Sequence, residues 1–316
     1  KEEKLKEFGI KLLPISPKTF LMGSPNNLTS PKAITNSFGD QLITVSTEGM
    51  VGTTDFSGRP IKEILDLNSS VTSIFSSADD QWVLIGCYNG SVHLFKGGKL
   101  THIRMLHHNN FPITSVSISP KGQRFSTSGL DGKVNSYTLP ECKLEWSIIA
   151  KDHNTSFDYL EYNQQGTKLL TSGVGSIPKL FEAKTGREIH LNPFPYNEIM
   201  RSRFLKNGES FASITYSGML IFTEASHGLV YKIVRLKLQN LIDFSFSPYG
   251  EKLIILTRDG TCSVQKTPIN NNLCIRTEKK NFVYSPDYFF ALANKSDPFS
   301  TQLSEFTSNQ GLSNHL

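Results

Sequence analysis

The feature that most restricts the fold of this chain is a segment that recurs at a fixed spacing. Residues 115–137 align without a gap on residues 243–265, which lie 128 positions later. The alignment places Ser-Pro on Ser-Pro and Asp131-Gly132 on Asp259-Gly260. Because this offset is close to three periods of about 43 residues, the chain is built from repeats of that length.

Further copies of the segment occur where this period requires them. They lie at Ile34 to Thr54, Ser73 to Phe95, Tyr159 to Phe181 and Arg201 to Thr223. A degenerate seventh copy begins near Asn281. At the turn position of this copy, Asp297 is followed by proline instead of glycine.

Each repeat has the composition of short antiparallel strands joined by tight turns. Val116 and Ile118 alternate with serines, as in a strand, and Asp131-Gly132 predicts a two-residue hairpin because glycine tolerates positive φ. A sheet of this kind exposes both faces, and radial stacking buries them. The sequence therefore predicts an all-β fold over residues 18–303, a single seven-bladed β-propeller of four-stranded antiparallel blades.

Two segments lie outside this repeat region. In residues 1–17, Leu5, Phe8 and Leu12 recur at helical spacing, which predicts a short N-terminal amphipathic helix. This helix packs on its own chain or docks in a groove of a partner. Residues 304–316 form a polar C-terminal tail, and the strand that closes the propeller comes from residues 18–24 or 301–306.

The repeats resemble those of the WD-repeat family over roughly residues 33–300, in their period, their Ser-Pro turns and their Asp-Gly turns. In that family a loop histidine, the turn aspartate and an aromatic at the end of the third strand form a buried polar network. The positions that match are Asp131, Asp259, His153, Tyr137, Phe95 and Phe181. His108 matches the loop histidine only with one inserted residue, and no Trp-Asp dipeptide is present.

The resemblance also implies a partner-binding face. In WD-repeat propellers the residue just before the turn aspartate lines one face around the channel, where partners dock. The matching positions here are Thr47, Tyr88, Leu130, Val174, Tyr216 and Arg258. Tyrosine and arginine are enriched at interface hot spots. The alternative is that Leu130 and Val174 pack within the rim.

No motif for catalysis is present, because the sequence lacks a glycine-rich phosphate loop, HExxH and GxSxG. We therefore predict that the protein is not an enzyme and has no catalytic residue, metal, cofactor or small-molecule substrate. His102, His107 and His108 are close in sequence, but His107 and His108 are adjacent and diverge on an extended segment. An ordinary loop between blades is favoured over a metal site.

The cysteines indicate an intracellular protein. Cys87, Cys142, Cys262 and Cys274 lie far apart and form no CxxC pair, which favours reduced thiols in the cytoplasm or the nucleus. The sequence has no run of about 18 apolar residues, so we expect a soluble chain without membrane insertion.

Basic clusters keep nucleic-acid binding open as a second function, although the net charge of +5 is modest. The clusters are Lys179, Lys184 and Arg187; Arg201, Arg203 and Lys206; Lys232, Arg235 and Lys237; and Arg276, Lys279 and Lys280. They fall in different repeats, and their usual explanation is a solvated rim.

These observations favour a non-catalytic scaffold or adaptor. Such a chain is a subunit of a larger multiprotein assembly and binds partner proteins through the propeller faces and its terminal extensions. The alternative is an RNA- or DNA-associated propeller subunit of a ribonucleoprotein or chromatin complex.

Overall fold

A computed structural model describes eleven ranges of the chain. These are residues 32–35, 41–46, 48–55, 60–97, 100–108, 110–149, 157–174, 176–191, 199–247, 250–259 and 261–268. Within these ranges the chain forms 23 β-strands and no helix. The residues divide into two compact units, Lys1–Glu188 and Ile189–Leu316, and each unit is described by itself.

The first unit holds four antiparallel sheets of four strands each. Sheet 1 contains β1 (Lys32–Thr35), β2 (Gln41–Val45), β3 (Met50–Asp55) and β4 (Pro60–Asp66). Sheet 2 contains β5 (Val71–Ser76), β6 (Trp82–Cys87), β7 (Ser91–Lys96) and β8 (Thr101–His107). Sheet 3 contains β9 (Ile113–Ile118), β10 (Arg124–Gly129), β11 (Lys133–Thr138) and β12 (Leu144–Ile149). Sheet 4 contains β13 (Tyr159–Tyr162), β14 (Lys168–Ser172), β15 (Lys179–Glu182) and β16 (Glu188–Ile189), which ends at the unit boundary.

The second unit holds two further sheets. Sheet 5 contains β17 (Ile199–Phe204), β18 (Ser210–Thr215), β19 (Met219–Glu224) and β20 (Val230–Arg235). Sheet 6 contains β21 (Leu241–Phe246), β22 (Lys252–Thr257) and β23 (Cys262–Lys266), so it has three strands in the described part of the chain.

The prediction of antiparallel β-blades is confirmed, but the prediction of seven blades is wrong. In every sheet the strands follow one another in chain order, and the described residues form six such sheets. The seventh repeat was placed near Asn281, which lies outside the described residues. Its sequence replaces the Asp-Gly hairpin turn by Asp297-Pro298, and proline cannot adopt the positive φ of that turn.

The predicted N-terminal helix has no counterpart in the described ranges. Leu5, Phe8 and Leu12 lie outside them, as do the C-terminal tail and both candidate closing strands.

The core of the first unit lies between consecutive sheets, because the central strands bury both faces. On β6, Val83 and Ile85 pack in a cluster with sheet 1 residues, whereas Leu84 packs in a cluster with residues of sheet 3. Gly86 on the same strand allows close approach, since a Cβ there would lie 2.4 Å from Cγ2 of Ile113. The sequence of β6, Trp82–Cys87, is therefore a continuous apolar run instead of an alternating one.

Serine hydroxyls also join neighbouring sheets at positions one repeat apart. The amide of Val116 donates to Oγ of Ser73 at 3.1 Å, and the amide of Leu160 donates to Oγ of Ser115 at 3.1 Å. Ser73 and Ser115 occupy the same place in their repeats. In the second unit this repeat position is Arg201 in sheet 5 and Asp243 in sheet 6. The two side chains form an ion pair in place of the serine hydrogen bond.

Candidate functional site

The predicted partner-binding positions that the structure describes are all exposed. Tyr88, Leu130, Tyr216 and Arg258 directly follow the second strand of their sheets, and Val174 lies two residues beyond β14. The exposed fractions are 52% for Tyr88, 42% for Leu130, 57% for Val174 and 37% for Tyr216, and Arg258 is also exposed. Thr47 lies outside the described residues.

A recurring backbone hydrogen bond explains this exposure. The amide of Leu130 donates to the carbonyl of Pro112 at 2.9 Å, in the connector that precedes β9. The amides of Tyr88 and Arg258 donate in the same way to the connectors before β5 and β21, at 2.8 and 2.9 Å. Because the bond uses only the backbone, the position is exposed whether it carries tyrosine, leucine or arginine.

Two further apolar residues at the same end of the sheets escaped the sequence analysis. Phe111 is 53% exposed in the connector before β9, and Ile177 is 45% exposed in the connector between β14 and β15. Each directly precedes a proline, and an apolar residue before proline in a connector is the signal that could have found them.

Five of the exposed apolar residues of the first unit lie at this end of its sheets. Tyr88, Phe111, Leu130, Val174 and Ile177 are hereafter called the loop-end surface. They lie on sheets 2, 3 and 4, which pack consecutively because β5 contacts β9 and β9 contacts β13. Clusters of exposed apolar side chains are a common feature of interaction surfaces.

A buried polar network stands behind this surface in sheet 3. Thr127 Oγ1 lies 2.6 Å from Nδ1 of His108, and the Asn135 amide donates to that same nitrogen and to the Tyr137 hydroxyl at 3.1 and 3.0 Å. Nε2 of His108 lies 3.8 Å from Oδ1 of Asp131. Burial lowers the pKa of His108, while Asp131 partly opposes this shift. The loop histidine of this sheet is therefore His108, which matched only with an inserted residue.

The other residues matched to such networks have different surroundings. Asp259 accepts from the Thr257 hydroxyl at 2.5 Å and from the Thr261 amide at 2.9 Å, and the Thr257 bond is the main cause of its lowered pKa. Phe95 and Phe181 are buried core aromatics, and Tyr137 stacks on Phe125 with ring centroids 5.0 Å apart. His153 lies outside the described residues.

Sheet 2 holds a pair of histidines that the sequence did not indicate. Nδ1 of His93 lies 3.2 Å from Nε2 of His102, and Oγ of Ser91 lies 3.1 Å from Nε2 of His93. Burial, together with the neighbouring His102 and His107, lowers the pKa of His93 to about 4. His102 and His107 therefore help to lower the pKa of His93, which is buried. His108 belongs instead to the hydrogen-bond network of sheet 3.

The His93 pair predicts a loss of stability on acidification. Between pH 6.5 and about 4 the unfolded chain binds a proton at His93 that the folded chain excludes, so the free energy of unfolding falls as the pH falls. His93→Asn, which introduces the residue found at the equivalent position 135, should reduce this fall by about 1–2 kcal/mol. Urea titrations from pH 7.5 to 4.5 measure it.

His227→Asn is the matched control, because the His227 side chain is 70% exposed and should leave the pH profile unchanged. Since burial also lowers the pKa of His108, some pH dependence will persist in His93→Asn. Identical profiles for wild type and His93→Asn would contradict the assignment.

In the second unit two arginines converge on one buried carboxylate. Nη2 of Arg203 lies 3.2 and 3.3 Å from the two carboxylate oxygens of Asp243, and Nε of Arg201 lies 3.5 Å from Oδ1. The Asp243 side chain is only 5% exposed. Arg201 and Arg203 of this basic cluster therefore stabilise the packing of β17 on β21, whereas Lys206 is exposed.

Burial keeps two ionisable side chains of the first unit protonated. Burial raises the pKa of the Cys87 thiol to about 11 and that of the Tyr162 hydroxyl to about 12, which disfavours the reactive anions at neutral pH. Across the described ranges, no three His, Cys, Asp or Glu side chains are placed to hold a metal ion. These ranges also contain no helix long and apolar enough to cross a membrane.

Comparison with known families identifies part of the chain. Residues 58–96 and 98–137 match the family model described as WD domain, G-beta repeat. In these two segments the chain is similar to WD repeats. Each WD repeat begins with the fourth strand of one sheet, β4 or β8, and continues with the first three strands of the next. WD repeats typically mediate protein interaction and not catalysis, and the loop-end surface carries residues from both.

This chain is similar in structure to the crystal structure of the computationally designed Ika8 protein, with a TM-score of 0.60. The sequences are 16% identical, and the likeness covers 72% of this chain and 68% of that one. At this identity it shows the fold alone. No curated protein matches the chain in sequence.

Proposed function

We propose that this WD-repeat chain is a non-catalytic scaffold subunit of a larger multiprotein assembly, and that it binds a partner protein through the loop-end surface. The observation that carries this proposal is the set of five exposed apolar side chains on three consecutive sheets. Interface cores are enriched in aromatic residues and poor in charge, and this surface has that composition.

Rigid packing supports the same role. The backbone bond from Leu130 to Pro112 and the network of His108 hold the turns of sheet 3 in one arrangement. A surface whose backbone is ordered before binding loses less conformational entropy when a partner docks. The terminal extensions, including Leu5, Phe8 and Leu12, are proposed as additional contacts with partners.

The described charges do not favour the alternative of RNA or DNA binding. Arg201 and Arg203 contact Asp243, Lys179 lies 3.8 Å from Glu188, and Arg187 contacts Glu182. Phosphate binding would require these cations to exchange their carboxylate partners.

We also propose an intracellular location, in the cytoplasm or the nucleus. Cys87 and Cys142 are buried free thiols, and Cys262 is also free. Free thiols are typical of reducing compartments.

The native size of the protein tests the scaffold proposal. In size-exclusion chromatography of native extract at physiological salt, the chain should elute well above its own mass of 35.3 kDa. The purified chain on the same column provides the monomer reference. Elution of the native protein at the monomer position would contradict membership of a stable assembly.

A further inference from the structure

A cleft of about 1010 Å³ opens in the second unit, at the end of sheets 5 and 6 away from Tyr216 and Arg258. The turn between β17 and β18 forms one wall, and β22 and β23 form the other. Leu205, Phe246 and Val264 supply apolar lining, and Val264 is 45% exposed.

Three lysines concentrate positive charge in this cleft. Lys252 on β22 and Lys266 on β23 are directly opposite each other in the register of sheet 6, and Lys206 reaches the cleft from the other wall. Like charges on directly opposed residues destabilise a strand pair. Glu251 is the acidic residue of the lining. An anionic partner would relieve the repulsion between Lys252 and Lys266.

An unsatisfied hydroxyl provides an independent sign of a ligand. Thr267 lines the cleft and is 6% exposed, and its Oγ1 has no hydrogen-bond partner in the described part of the chain. The backbone amide of Thr267 is hydrogen-bonded, because it donates to the carbonyl of Glu251 at 2.8 Å. Buried hydroxyls are normally hydrogen-bonded, so this group needs an explanation.

Gly250, in the turn between β21 and β22, shows that the cleft is open. Gly122 and Gly166, at the same repeat position in sheets 3 and 4, face Trp82 at 3.7 Å and Pro120 at 3.5 Å. A Cβ at Gly250 would meet no atom within 4 Å. The side chains that cover the equivalent glycines therefore have no counterpart here.

We propose that this cleft binds an extended acidic segment of a partner protein. Its carboxylates pair with Lys206, Lys252 and Lys266, its apolar side chains contact Val264, and a polar group bonds to Thr267. The inference deepens the proposed scaffold function by giving the chain a second partner-binding surface, on a different unit from the loop-end surface.

The charges favour a peptide over nucleic acid. Glu251 would repel a phosphate backbone, and Phe246 is half-buried and packs edge-to-face on Phe244 at 5.5 Å, so it is not free to stack on a base. The chain that follows, residues 269–280, carries Arg276, Lys279 and Lys280 against Glu278. This segment carries more positive than negative charge, so it does not supply the acidic group that would neutralise Lys252 and Lys266.

Fluorescence anisotropy of the full chain tests the site, with a labelled peptide of alternating glutamate and valine as the probe. Lys252→Gln combined with Lys266→Gln should weaken binding about tenfold. The matched control is Lys121→Gln combined with Lys184→Gln, two exposed lysines outside the cleft, which should bind like wild type. Equal binding by the cleft variant and wild type, or no binding at all, would overturn the proposal.

A second variant separates binding from structure. Thr267→Val keeps the shape and removes the unsatisfied hydroxyl, so it should weaken peptide binding without lowering the midpoint of urea unfolding. Unchanged peptide affinity in this variant would refute the role of Thr267. Tighter, lysine-dependent binding of oligouridine would instead assign the cleft to nucleic acid. Because these probes do not involve the loop-end surface, their failure leaves the native assembly to be judged separately.

Discussion

Replacement of Asp243 by asparagine should lower the free energy of unfolding by about 3 kcal/mol. Asparagine keeps the size of the side chain but removes the charge that Arg201 and Arg203 both contact. These guanidinium groups are only 15% and 21% exposed, so water compensates them poorly. Urea unfolding monitored by tryptophan fluorescence and by circular dichroism measures the change, and added salt should reduce it by screening the two arginines.

Glu182→Gln is the matched control for this loss. Glu182 contacts Arg187, whose side chain is 75% exposed, so solvent screens this ion pair and its loss should destabilise the protein much less. If Asp243→Asn destabilised the protein no more than Glu182→Gln, the buried position of the charge cluster would have no energetic importance.

Changing Phe111 and Leu130 together to serine should weaken binding of the partner protein about a thousandfold. The two side chains lie on connectors joined by the bond from Leu130 to Pro112, so a docked partner would contact both. Central apolar anchors each contribute about 2 kcal/mol or more to such interfaces. Biolayer interferometry with the partner purified from the native assembly measures the affinity.

The same substitutions should leave folding intact, because both residues are exposed and surface changes usually alter stability by less than about 0.5 kcal/mol. Ile103→Ser combined with Leu144→Ser serves as the control, since these residues are 45% and 57% exposed on the outer strands β8 and β12. An equal loss of affinity in the control would show that the loop-end surface has no special role.

The repeat spacing predicted most of the architecture, because strand, turn and strand recur with their own local chemistry. The Asp131-Gly132 turn lies between β10 and β11 as predicted, with Gly132 at a φ of 74°. Local signals do not report how many repeats assemble, and the described residues form six sheets where seven were predicted. The degenerate copy with Asp297-Pro298 was counted from period alone.

The histidine pair shows why parts of the candidate site escaped prediction. A bulge between Leu94 and Phe95 places Phe95 opposite His102 instead of Ile103, which puts His102 on the face of His93. Strict alternation along β8 would have placed His102 on the other face. Similarly, Arg201 and Asp243 lie 42 positions apart, so only the packing of β17 on β21 reveals their contact.

The offset between WD repeats and sheets affects how such a chain can change length during evolution. The segment 98–137 supplies the outermost strand of one sheet and the inner three strands of the next. Duplicating or deleting one such unit therefore leaves every interior sheet with its full set of strands, because the next unit provides the missing outer one.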